Sequence, residues 1–200
     1  MTPFLLAAAL HTLFPEPGNV TVVTAIGVPY LALTEISVGI ADRFSAGVIF
    51  AVADEIGVGF RPRAGLLEVG ALQLQLAVPI VYYPPMSKRS GQDWVYANPQ
   101  LRFDLLLPRG ARVYAGAGLV LAACTDSIGA VLRGEKPEAN ERMVGGVWTT
   151  AHVGGSLRMT PTLDLTLDGG TVLNGRNVRA EYARRVGIPV LAELGFAKTF

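Results

Sequence analysis

Leu163-Asp-Leu-Thr-Leu-Asp168 alternates strictly, with Leu163, Leu165 and Leu167 on one side and Asp164, Thr166 and Asp168 on the other. A period of two is the pleat of a β-strand, whose successive side chains point to opposite faces. The same design recurs upstream. In Leu72-Gln-Leu-Gln-Leu-Ala-Val78 the even positions are apolar, and Gln73 and Gln75 oppose them. In Arg112–Val120 one face is Val113, Ala115, Ala117 and Leu119, and the other is Arg112, Tyr114, Gly116 and Gly118. In Val147–Met159 the odd face carries Val147, Ala151, Val153, Leu157 and Met159, against His152, Ser156 and Arg158. Four separate segments thus pair a continuous apolar face with a small or polar one.

Composition narrows where such strands live. The chain has 200 residues, room for one domain; 50% are apolar and only 16% charged, against roughly a quarter in soluble domains. The mean hydropathy of +0.39 would suit membrane helices, but those need about 20 consecutive apolar residues. Each apolar run here is cut by Gly, Gln or Pro, and the chain holds 23 Gly and 13 Pro. A net charge of +1 gives no basic patch and no reason to expect nucleic acid. The single cysteine, Cys124, excludes an internal disulfide and a thiolate metal cluster. No phosphate loop, dinucleotide fingerprint, zinc spacing or calcium loop is present, so neither cofactor nor metal is expected.

The pattern predicts ten strands, at about 19–28, 31–41, 44–53, 56–61, 66–83, 93–107, 111–124, 144–159, 162–173 and 187–200. From the fifth strand on, the connections alternate in length. Pro84–Gln92, Thr125–Met143 and Asn174–Val186 are long, whereas Pro108-Arg109-Gly110 and Thr160-Pro161 are tight, as is the earlier Asp42-Arg43. All the long ones fall on one side of the strand set and the tight ones on the other. Pro29-Tyr30 and Asp54-Glu55 are short too, so the first hairpins do not share the asymmetry. Arg133–Met143 carries six charges and reads as a solvated loop. Residues 1–18 form either a signal peptide, with Phe4–Leu10 as its apolar core, or an N-terminal segment that stays with the chain. No Lys or Arg precedes Arg43 to supply a positive n-region. Residues 19–200 are read as one barrel.

A strand with a fully apolar face must cover it, by a dry interior in a soluble barrel or by lipid in a membrane barrel. Three features favour lipid. The polar face is rich in Gly and Ser rather than charge, as at Ser37, Gly39, Ser45, Gly47, Gly116 and Gly118. Several strands are long enough to cross a bilayer at a tilt. Aromatic residues lie toward segment ends, among them Tyr30, Phe44, Phe60, Tyr82, Tyr83, Trp94, Tyr96, Trp148, Phe196 and Phe200, in the manner of interfacial girdles. The C-terminus, Val190-Leu-Ala-Glu-Leu-Gly-Phe-Ala-Lys-Thr-Phe200, resembles the terminal strand of bacterial outer-membrane β-barrel proteins. Glu193, Gly195 and Phe200 match that family's assembly signal, while Lys198 departs where a hydrophobic residue is expected. Val38–Gly47 is similar to the hairpin repeat of such barrels: Gly, a short polar turn, an aromatic, then Gly again. The resemblance implies an all-β, antiparallel up-and-down transmembrane barrel of about 10 strands, with 8 as the alternative, in the bacterial outer membrane. It also implies partners: outer-membrane lipid and lipopolysaccharide around it, and the barrel assembly machinery that reads its last strand.

The inward face gathers mixed charge. Arg102, Asp104 and Arg112 share a face across the tight turn, Arg158 is expected opposite Asp164, and Asp168 and Glu193 point the same way, as does Glu35. This lumen charge cluster reads either as salt bridges that hold a narrow barrel shut or as a constriction that selects a solute by charge. His152 and Ser156 are the one pair with nucleophile and base character. The alternatives are therefore a barrel with a structural, adhesive or minor transport role, an outer-membrane lipid-modifying enzyme, and a soluble lipocalin-like barrel binding an apolar ligand.

Overall fold

The alternation closes into a continuous wall in the computed structural model, which describes residues 16–28, 32–52, 56–84, 93–125, 144–175 and 190–200. The strands are β1 (Val20–Val28), β2 (Ala32–Ala41), β3 (Phe44–Val52), β4 (Ile56–Val69), β5 (Leu72–Ala77), β6 (Ile80–Tyr83), β7 (Asp93–Ala97), β8 (Gln100–Leu106), β9 (Arg112–Thr125), β10 (Val144–Thr160), β11 (Leu163–Gly175) and β12 (Val190–Thr199). β5 and β6 are two parts of one stave, as are β7 and β8. Both halves of the first pair with β4, and both halves of the second pair with β9. Ten antiparallel staves result, each bonded to the next in the chain, and β1 joins β12 in register from Thr21↔Thr199 to Val28↔Ala192. Closure leaves no sheet edge, the condition for strands to sit in hydrocarbon.

Orientation follows the parity read from the sequence. Leu167 and Val153 are 63% and 64% exposed on the outer surface. The same outer face carries Leu72, Phe103, Val113, Leu157 and Phe196. Inside lie Thr21, Glu35, Ser45, Gln75, Asp104, Thr150, Asp164 and Thr166, all buried. This is the reverse of a soluble lipocalin-like barrel, whose greasy face looks in. The bore itself divides. Near the described tight turns it is ionic and polar. Toward the opposite end Leu33, Ala51, Val81, Tyr83 and Tyr96 pack inside it, none more than 4% exposed, while the buried Val23 and Ile49 are level with Glu35.

One hairpin differs from the sequence expectation. Pro62 and Gly65 suggested a turn between residues 61 and 66, but β4 runs straight through them to Val69. The turn is Gly70-Ala71, where Gly70 takes φ +59, a left-handed conformation open to glycine at no steric cost. Pro62 is tolerated because of where its missing N–H falls. Val78 N–H donates to the Pro62 carbonyl at 3.0 Å, but Pro62 cannot return the bond. The neighbouring staves repeat this. Asn98 N–H donates to Pro79 at 2.9 Å and Leu119 N–H to Pro99 at 3.0 Å, again without a reciprocal bond. A line of three half-bonded pairs thus crosses three consecutive staves and breaks β5 from β6 and β7 from β8.

The aromatic pattern is also corrected. Tyr83 and Tyr96 belong to no girdle; they face inward and meet edge to face, with centroids 5.8 Å apart at 85°. Phe44, Phe60, Phe196 and Phe200 do face outward. The side chains of Trp94 and Trp148, the whole of Tyr30, the long connections, most of the N-terminal segment and the charged run Arg133–Met143 lie outside the described residues.

Candidate functional site

The bore is lined by ion pairs between residues of the same, adjacent or next-but-one strands. Glu35 on β2 meets two arginines of β4. Its Oε2 lies 3.2 Å from Arg61 Nη1, outside hydrogen-bond alignment, and its Oε1 accepts a bond from Arg63 Nη2. β3 stands between β2 and β4. The bridge passes over it at Gly47, where an added Cβ would strike the Glu35 carboxylate and would come within 2.9 Å of Ser37 Cβ. Sequence reasoning missed Arg61 and Arg63: Arg61 closed the expected strand 56–61 without being counted among the inward charges, and Arg63 fell in the expected break before residue 66. Parity counted back from Leu67, through the bulge between Gly65 and Leu67, would not have recovered them. Parity counted forward from Ile56 would.

A second cluster sits on β8 and β9. Arg102 grips Asp104 with Nη2–Oδ1 at 2.7 Å and Nε–Oδ2 at 2.9 Å, a forked, charge-assisted pair. Arg112 Nη1 is 3.7 Å from the same Oδ1. The Arg102 guanidinium also lies 4.5 Å from the centroid of the Tyr114 ring. Tyr114 Oη donates to the Leu167 carbonyl at 3.4 Å, which ties β9 to β11 across β10. Arg158 and Asp164 are register partners at the β10–β11 turn, with Nε–Oδ1 at 3.3 Å. Arg158 is the most solvated of these residues, its side chain 43% exposed. Asp168 and Glu193 face each other directly across β11 and β12, both buried. The seven sequence-identified residues thus fall into three places: Arg102, Asp104 and Arg112 together, Arg158 with Asp164 at the rim, and Asp168 opposite Glu193.

Glu193 and Gly195 face the bore, whereas Phe200 lies outside, 67% exposed, with Lys198 Nζ 4.8 Å from its ring centroid. His152 is buried opposite Gly116, its ring 6.5 Å from that of Tyr114. Ser156 is four residues further along the same strand, about 13 Å at the strand rise. That separation is far beyond the reach of a nucleophile and its base.

An even number of antiparallel staves, a continuous apolar outer band and a polar inner half together define a membrane-spanning type. The chain folds as a closed, antiparallel ten-stave β-barrel with its apolar face outward. Comparison with solved structures returns the N-terminal β-barrel domain of Pseudomonas aeruginosa OprF, at 12% identity over 92% of this chain and 98% of that one, with a TM-score of 0.42. It also returns Neisserial surface protein A, at 14% identity over 91% and 94% with a TM-score of 0.32. The Pseudomonas aeruginosa outer membrane protein OprG follows at 9% identity over 94% and 99%, with a TM-score of 0.35. No family model and no curated protein matches the chain.

Proposed function

We propose that this outer-membrane barrel is a closed structural element that anchors its long connections at the outer surface and passes no ions at rest. The observation that carries this reading is the Glu35–Arg61–Arg63 bridge across β2, β3 and β4. It adjoins the apolar side chains of Leu33, Val81 and Tyr83 toward the opposite end and of Ile49 level with Glu35, all at most 1% exposed. Ions crossing such a bore would have to break a buried bridge and then traverse a dry layer, and each step is costly. A ten-stave barrel is also narrow, since wide aqueous channels require many more strands. In this reading the tight-turn end faces the periplasm, lipid and lipopolysaccharide solvate the outer wall, and the barrel assembly machinery reads β12.

The test is planar-bilayer recording on the purified, full-length barrel. Absence of a steady current is the expected result, and a stable open level in the wild-type protein would overturn the reading.

A further inference from the structure

The inner wall of β4, β5 and β8 carries more hydrogen-bond donors than the described residues answer. Arg63 spends Nη2 on Glu35, but its Nε and Nη1 have no hydrogen-bond partner among the described residues. Gln75 Nε2 and Gln100 Nε2 are in the same position. All three side chains are more than nine-tenths buried. The registers bring them together. Arg63 is level with Ala77 and then Gln100, and Gln75 is level with Arg102. Ala77 puts only a methyl group between Arg63 and Gln100 in that row. A buried donor without an acceptor is costly, so three such residues on one patch call for something with acceptors.

Charge points the same way. Glu35 is divided between Arg61 and Arg63, and Asp104 between Arg102 and Arg112. Two guanidinia therefore share each carboxylate, and a guanidinium does not lose its proton. Arg102 is close enough to repel Arg63 electrostatically. Asp168 and Glu193 stand on β11 and β12, across the bore, where Asp168 is within electrostatic range of Arg102 and Glu193 of Arg61; neither is among the groups that act on Arg63. Toward the tight-turn end, Arg112 has Nε and Nη1 without hydrogen-bond partners among the described residues, and Arg112 and Arg102 each keep 11% of their side-chain surface exposed.

We propose that this wall binds a small oxyanion, of the phosphate, sulfate or carboxylate class, with Arg63, Gln75 and Gln100 as direct donors, Arg102 adding charge and Arg112 on the route of entry. Arginine arrays are a general means of drawing anions into a membrane pore, and buried forked donors suit tetrahedral or planar oxyanions. The site does not depend on the bore being open from end to end, because entry needs one end only.

The experiment is equilibrium dialysis of radiolabelled inorganic phosphate against the full-length barrel in nanodiscs, with folding verified by heat-modifiable gel mobility. Saturable binding is expected, displaced by sulfate and by acetate but not by choline or glycerol. The neutral double variant Gln75→Leu/Gln100→Leu, which leaves every charge and ion pair in place, should bind at least tenfold more weakly. Arg63→Gln should do the same if it folds. No saturable binding to wild type, displacement by choline, or undiminished binding in the folded double variant would each overturn the site.

Discussion

Glu35 of β2 reaches Arg61 of β4 at 3.2 Å by passing over the bare backbone of Gly47 on the strand between them. The ion pair and the glycine are one structural unit, since the carboxylate occupies the space a side chain on β3 would need. Replacing Gly47 with Val should therefore break a bridge that Gly47 does not itself make. Breaking a buried pair costs about 3–5 kcal/mol. Gly65, whose added Cβ would come no nearer than 3.5 Å to Arg43, is the control, and Gly65→Ala should leave stability nearly unchanged. Urea unfolding in lipid vesicles reads both, and equal midpoints for the two variants would refute the claim.

Among the described residues, Glu35 pairs with both Arg61 and Arg63. Glu35→Gln should destabilise more than Arg61→Met, because the first leaves two buried guanidinia poorly compensated and the second leaves Glu35 still bonded to Arg63. Around 3 kcal/mol or more is expected for the first. The double variant should fall well short of the sum of the two losses. Additive losses in a double-mutant cycle would show that the residues do not act together.

The half-bonded line at Pro62, Pro79 and Pro99 predicts a gain rather than a loss. Pro99→Val supplies an N–H opposite the Leu119 carbonyl, where the ladder already holds the Leu119 N–H to Pro99 bond at 3.0 Å. One added backbone bond contributes about 0.5–1.5 kcal/mol. The heat-modifiable transition should move upward, and an unchanged or lower transition would mean that the proline relieves strain elsewhere in the wall.

Most of the barrel was legible in local alternation because lipid rewards the same parity on every stave. Leu72, Leu74, Leu163 and Leu165 declare their face without any knowledge of their neighbours. The errors arose where one residue carried two signals. Pro62 and Gly65 read as turn residues, yet both sit within β4, because the cost of a missing donor depends on the partner strand and is invisible in the sequence. Tyr83 read as a girdle aromatic by its position near a strand end. Its parity with Gln75, Pro79 and Val81 already placed it inside, and the intervening prolines do not change the count. The ionic residues Arg102, Asp104, Arg158 and Asp164 were visible by parity and turn position, whereas Arg61, closing an expected strand, went uncounted and Arg63 fell in the expected break.

Tyr83 turns that misreading into a test. It is 1% exposed, packs on the Gly57 backbone and contacts the edge or face of Tyr96 at 5.8 Å. Tyr83→Ala removes packing inside the bore and should cost about 3–5 kcal/mol, the range for large aromatics lost from cores. Phe60→Ala on the lipid-facing side, where the ring is half exposed, should cost clearly less. If the order were reversed in vesicle unfolding, the apolar inner layer would not be a packed core.

Phe200 separates folding from assembly. Its backbone exchanges bonds with Val20, at 2.8 Å for Phe200 N–H and 3.3 Å for Val20 N–H, and so completes the β1–β12 closure. Its side chain lies outside the wall and is 67% exposed. Phe200→Ala keeps every closing backbone bond and removes a ring that packs on little beyond Lys198, so the folded barrel should lose no more than about 0.5 kcal/mol in vesicles, as for other exposed substitutions. If the ring is instead read during insertion, as the match of Glu193, Gly195 and Phe200 to a terminal-strand signal implies, the same variant should sharply reduce the heat-modifiable fraction in cells. Deleting Phe200 would confound the two effects, because it also removes the backbone bonds to Val20. Normal assembly of Phe200→Ala in cells would show that the ring carries no assembly signal.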